Sequence, residues 1–140
     1  MRNRRKQRAF TLIELLLVMV ILVVLAAIVL PRFTGRSEEA KLKATKTQIS
    51  MLDTALDLFE NDNGRYPNTE EGLTSLVQAP SGVTEWRGPY IKQGGIPNDP
   101  WNRPYVYKYP GEHNASGFDL SSAGPDGQEG TADDIGNWVQ

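Results

Sequence analysis

Five cations, Arg2, Arg4, Arg5, Lys6 and Arg8, precede a stretch in which almost every position is apolar. From Leu12 to Leu30 the only charged residue is Glu14, and the run ends at Pro31. At about 1.5 Å of rise per helical residue the run reaches roughly 28 Å, close to the hydrocarbon thickness of a bilayer. Its apolar side chains would cover every side of a helix, which suits lipid and not a half-buried surface. The run is longer than the apolar segment of an ordinary secretory signal, and no A-x-A-like site follows it. The pattern therefore predicts a retained membrane helix.

Beyond Pro31 the pattern changes to a single stripe. Leu42, Ile49 and Leu56 recur every seven residues, with Leu52 and Phe59 between them and Thr45 completing the seam. This spacing predicts a helix over 37–59 that packs one face on a small core. Fewer than three to four heptads are present, too few for a coiled coil. Asn61-Asp62-Asn63-Gly64 ends the helix, with Gly64 as a left-handed cap. Pro31 and Gly35 are expected to kink or loosen it. The helix so predicted outruns its own domain, and its first half needs lipid or neighbouring copies to cover it.

The remainder alternates shorter signals. Asn68 and Glu71 form a reciprocal capping pair ahead of Leu73, Leu76 and Val77, an expected apolar face. Residues 80–104 are rich in Pro and Gly and read as an ordered loop pinned by Trp86, Tyr90, Ile91 and Trp101. Tyr105–Tyr109 and Phe118–Ser122 are β-prone runs separated by a Pro110-Gly111 turn. The fold class predicted is α+β, a long N-terminal helix followed by a small antiparallel sheet.

Charge adds direction. The cations ahead of the apolar run predict a cytoplasmic N-terminus and an extracytoplasmic domain. Without them the chain has ten basic against seventeen acidic residues, a net charge of −7. That balance offers no patch for a phosphate backbone, so no nucleic-acid partner is expected. There is no cysteine to staple the domain. A domain this small is then more dependent on a metal or on oligomerisation. The single histidine, His113, sits in a turn and is expected to be exposed. No catalytic triad, zinc cluster or phosphate-binding glycine loop is present, and no enzyme activity is expected. Glu14 costs about 2.5–3.5 kcal/mol at a bilayer centre and less near its edge, which points to a partner gained on assembly.

The basic leader, Ala9 and Phe10-Thr11-Leu12-Ile13-Glu14 resemble the processing signal of type IV pilins and type II secretion pseudopilins. The resemblance implies cleavage between Ala9 and Phe10 by a prepilin peptidase and N-methylation of Phe10. It also implies pairing of Glu14 with the Phe10 amine of a neighbouring copy. Residue 9 is Ala where the family usually has Gly. Further words, Gly64-Arg65-Tyr66-Pro67, Glu71-Gly72-Leu73, Gly88-Pro89-Tyr90, Asp99-Pro100-Trp101 and Gly136-Asn137-Trp138, resemble the major-pseudopilin branch of type II secretion. The domains expected are a cleaved leader at 1–9, a membrane and assembly helix at 10–31, and a periplasmic domain at 32–140.

Between Ser122 and Asp134 four acids share a glycine-rich turn. The spacing is not that of an EF-hand, and by itself it favours a solvated acidic loop. The resemblance implies the opposite, a structural Ca2+ site. By position it would be held by the side chains of Asp126 and Asp133 and the backbone oxygens of Ala123, Gln128 and Thr131. The Thr131 hydroxyl is an alternative donor, and Asp134 is a further candidate. The function implied is that of the major structural subunit of a periplasmic pseudopilus exporting folded proteins. Expected partners are copies of itself, minor pseudopilins, an inner-membrane assembly platform and a prepilin peptidase. A type IV pilin for adhesion, motility or DNA uptake is the alternative.

Overall fold

The structure, a computed structural model, describes residues 10–92 and 94–138, and for residues 29–35 it describes the backbone alone. One α-helix, α1 (Leu12–Asn63), is followed by a 3-10 turn (Leu73–Leu76) and by strands β1 (Val106–Lys108), β2 (Asp119–Ser122) and β3 (Ile135–Gly136). The helical assignment runs without interruption through Pro31 and Gly35. The chain divides into two compact units, one ending at Glu39 and the other beginning at Ala40.

In the first unit α1 begins where Thr11 can cap it. Thr11 O accepts from the N–H groups of Glu14 and Leu15 at 3.1 and 3.3 Å. Glu14 stands in the first turn, where a carboxylate also complements the helix dipole. Large apolar side chains from Leu12 to Ile28 are exposed all round. Among the described residues no helix is long and apolar enough to cross a membrane. The predicted span extends past Ile28 into residues 29–35. The leader at 1–9, with Ala9, lies outside the described residues.

In the second unit one face of α1 is the floor of the core. Ile49, Leu52, Ala55, Leu56 and Phe59 pack with Leu73, Leu76, Tyr105, Tyr107, Phe118, Leu120 and Ile135. Burying each of the Leu, Ile and Phe side chains fully stabilises by about 1.5–3 kcal/mol. Thr45 is also fully buried. Its hydroxyl donates to Lys41 O at 2.9 Å, which satisfies it within the helix. Leu42, predicted on the same stripe, is instead 36% exposed. The core that α1 covers reaches Thr45 and Ile49, not the turn before them. Helix α1 ends at Asn63, and Gly64 takes φ +71°, the left-handed cap expected of it.

The three strands form one antiparallel sheet in the order β1-β2-β3. Tyr107 pairs with Leu120 and Ser122 with Ile135, so one face of the sheet carries the core. The described residues of the loop at 80–104 are pinned as expected. Trp86, Tyr90, Ile91 and Trp101 pack against the core, and Tyr90 sets its ring 5.7 Å from that of Phe59. The capping pair forms as read: Asn68 Oδ1 accepts Glu71 N–H at 2.7 Å, and Glu71 Oε2 accepts Asn68 N–H at 2.8 Å. What it opens is a single 3-10 turn of four residues. Leu73 and Leu76 are buried on that turn, and Val77 is exposed because the turn ends before it.

Candidate functional site

At the start of α1, Phe10 is 74% exposed and Glu14 lies one turn further on. Both stand where a second molecule could reach them. Ala9 falls outside the described residues, so of the pair predicted to flank a cleavage only Phe10 is described.

The acidic loop leaves β2 at Ser122 and returns to the sheet at β3. Two glycines let its ends meet. Gly124 has φ +60°, and a Cβ there would overlap the Asp133 carbonyl. Gly127 has φ +73°, and a Cβ there would overlap the Arg103 guanidinium. The candidate ligands then converge. Asp133 Oδ2 accepts Asp126 N–H at 3.1 Å, and Asp133 Oδ1 accepts the Thr131 hydroxyl at 2.6 Å. That hydroxyl also lies 3.1 Å from Gln128 O. Asp126 Oδ1 accepts Gln128 N–H at 2.8 Å, and Ala123 O accepts Gly127 N–H at 3.1 Å. Asp134 Oδ2 takes Gly130 N–H at 2.7 Å. The bonds from Thr131 and from Asp126 N–H hold the Asp133 carboxyl below its usual range. Glu129 faces solvent. Among the described residues no group of three or more His, Cys, Asp or Glu side chains is placed to hold a metal. A cation here would need backbone carbonyls as well as carboxylates.

The family model for type II secretion system protein G matches residues 32–138. The chain belongs to the type II secretion system protein G family. A second model, the prokaryotic N-terminal methylation motif, matches residues 4–30. The type II secretion system core protein G of Escherichia coli (strain K12) is 48% identical over 141 residues, covering 99% of this chain and 95% of that one. The core protein G of Pseudomonas aeruginosa is 44% identical, covering 97% and 98%. The crystal structure of the major pseudopilin from enterohaemorrhagic Escherichia coli superposes with a TM-score of 0.66 at 37% identity, covering 74% of this chain and 87% of that one. The helix-plus-sheet architecture is thus the pseudopilin fold. The pilus alternative is not favoured, because the match over 32–138 is to protein G. The protein G family is one of structural subunits.

This protein G chain supports its acidic loop from Asp99 and Arg103, to which the sequence analysis assigns no role at the site. Asp99 is 4% exposed. Its Oδ1 accepts the N–H groups of Trp101 and Arg103 at 3.0 and 2.8 Å, and its Oδ2 accepts the Ser122 hydroxyl at 2.6 Å. Arg103 Nη1 donates to Gly124 O at 2.6 Å. The Asp99-Pro100-Trp101 word, with Arg103 two residues on, is the available signal, but the partners in the acidic loop lie over twenty residues away. His113 is exposed as expected, yet it is also engaged. Its Nδ1 lies 3.0 Å from Asp119 Oδ2, and its ring stacks on Trp138 at 4.0 Å between centroids.

Proposed function

We propose that this chain is the major structural subunit of a type II secretion pseudopilus. Copies would stack through α1 into a periplasmic filament whose growth moves folded proteins toward the outer membrane. The carrying observation is the apolar start of α1, exposed on all sides from Leu12 to Ile28, with Glu14 in its first turn. Such a surface is stable only in lipid or against sibling helices. The methylation motif supports anchoring in the inner membrane with the N-terminus cytoplasmic, cleavage after Ala9 by a prepilin peptidase, and methylation of Phe10. In the filament Glu14 pairs with the Phe10 amine of the next copy, which removes the cost of a carboxylate among apolar helices. Minor pseudopilins and an inner-membrane assembly platform are the further partners. Glu14→Leu is expected to leave membrane insertion intact and to reduce cross-linked multimers and exoprotein export at least tenfold. Wild-type multimers from that variant would refute the pairing.

The acidic loop takes Ca2+ as a structural ion. Its donors are hard oxygens, the carboxylates of Asp126 and Asp133 and the oxygens of Ala123, Gln128 and Thr131, with Asp134 in reserve. Their mutual bonds already hold these groups together. When bound, the ion supplies positive charge to a turn crowded with acids and stabilises the folded form alone. At calcium a hundredfold above Kd the gain is about 2.7 kcal/mol. Full-length processed protein in detergent is expected to melt several degrees higher in millimolar calcium than in chelator, and Asp126→Ala to lose that difference. An unchanged melting temperature in the wild type would reject the site.

A further inference from the structure

Arg103 reaches the acidic loop from a separate turn, and the bonds around it form a closed frame. Asp99 N–H donates to Arg103 O at 2.8 Å, and Arg103 N–H returns to Asp99 Oδ1 at 2.8 Å. The other Asp99 oxygen holds the Ser122 hydroxyl, whose oxygen accepts Gly124 N–H at 3.2 Å. The Arg103 side chain then closes the frame on Gly124 O. Gly124 is therefore held at its carbonyl by Arg103 and at its N–H by Ser122, and both of these are tied to Asp99. A peptide unit is planar, so fixing Gly124 N–H also fixes the direction of the Ala123 carbonyl, which shares its plane. Fixing Gly124 O sets the next plane.

We propose that Arg103, braced by Asp99 and Ser122, is a positioning residue for the cation loop. It sets the Gly124–Pro125 peptide plane, while Ser122, held by the same Asp99, sets the adjoining plane that carries the Ala123 carbonyl, before any ion arrives. The proposal rests on the calcium reading above. Gly127 has the matching role, since any side chain there would occupy the space of the guanidinium.

Two effects of Arg103 on a cation oppose each other. Its charge repels the ion, and its bonds pre-arrange the ligands. Arg103 is half-buried, so solvent screens the repulsion. The bond to Gly124 O is charge-assisted and short, in the class that contributes most. Positioning therefore outweighs repulsion, and the sign of the effect separates the two.

The test is calorimetric titration of the full-length processed protein in detergent micelles with calcium chloride at fixed ionic strength. Arg103→Gln is expected to bind calcium about tenfold more weakly, the loss expected for one charge-assisted hydrogen bond. Arg103→Lys, which keeps the charge without the planar fork, is expected to bind as weakly as Arg103→Gln. An unchanged or tighter Kd for Arg103→Gln overturns the proposal, as does wild-type affinity in Arg103→Lys. Ser122→Ala breaks the opposite side of the frame with the loss of one oxygen. It decides the matter if the Arg103 variants do not fold: weaker binding supports the clamp, and an unchanged Kd overturns it. Absence of calcium heat from the wild type would instead remove the calcium reading, and the clamp with it.

Discussion

Phe59→Ala is expected to lower the stability of the unit that begins at Ala40 by about 3–5 kcal/mol, the range for truncating a fully buried aromatic residue. Phe59 has no solvent exposure and sits where α1 meets the loop. Its ring meets Tyr90 edge to face, and the Tyr90 hydroxyl in turn donates to Asp62 Oδ2 at 3.0 Å and accepts from Arg87 N–H at 3.1 Å. Trp86 also meets Tyr90 edge to face, with ring centroids 5.8 Å apart. Removing the Phe59 ring leaves a cavity under Tyr90 and takes away the apolar half of its anchorage. For a unit of this size about 1 kcal/mol corresponds to roughly 4–8 °C, so the melting midpoint should fall by about 12–40 °C. Circular dichroism of the full-length protein in detergent measures it. Met51→Ala is the contrast: that side chain is 66% exposed on the same helix, and its truncation should change stability by less than about 0.5 kcal/mol. Equal losses from the two variants would contradict the assigned core face.

What could be read from the sequence was what is local and periodic. The stripe of Ile49, Leu52, Leu56 and Phe59 appears in the core because a helix repeats its face every 3.6 residues. The Asn68–Glu71 pair appears because both partners lie within one turn. Tyr107 and Leu120 pair because both β-prone runs have an apolar alternation to set their register. Strand β3 was not legible: it has two residues and directly follows the acidic turn, with no alternation of its own. The frame of Asp99, Arg103 and Ser122 was hidden for another reason. Its bonds link residues 21 and 23 positions apart, and no pattern in a single sequence marks which carboxylate meets which hydroxyl. Leu42 and Val77 were overassigned because periodicity says which face an apolar residue lies on, not how far the core extends along it.

Asp119→Asn is expected to cost about 2–4 kcal/mol at neutral pH, more than its small change in shape suggests. Asp119 is 8% exposed and collects one turn of backbone. Its Oδ2 accepts the N–H groups of Glu112 and His113, each at 2.8 Å, and lies 3.0 Å from His113 Nδ1. Its Oδ1 accepts Asn114 N–H at 2.9 Å. An amide has one oxygen, so one side of the substituted group would turn N–H toward N–H and leave donors without an acceptor. Burial acts to raise the carboxyl pKa, but the N–H groups of His113, Asn114 and Glu112 outweigh it, and the net shift is downward from the ordinary 3.8. A carboxyl lowered in the folded state stabilises above its unfolded pKa and loses that contribution as pH falls through the folded value. The stability difference between wild type and variant should therefore be complete at about pH 6, begin to shrink below about pH 4 and narrow further as acid is added. Trp138 stacks on His113 and reports the same turn, so its fluorescence should change in Asp119→Asn before the global transition. Denaturant melts at a series of pH values check both points. A difference that stays constant down to about pH 2 would show that Asp119 supports the turn by shape and not by charge.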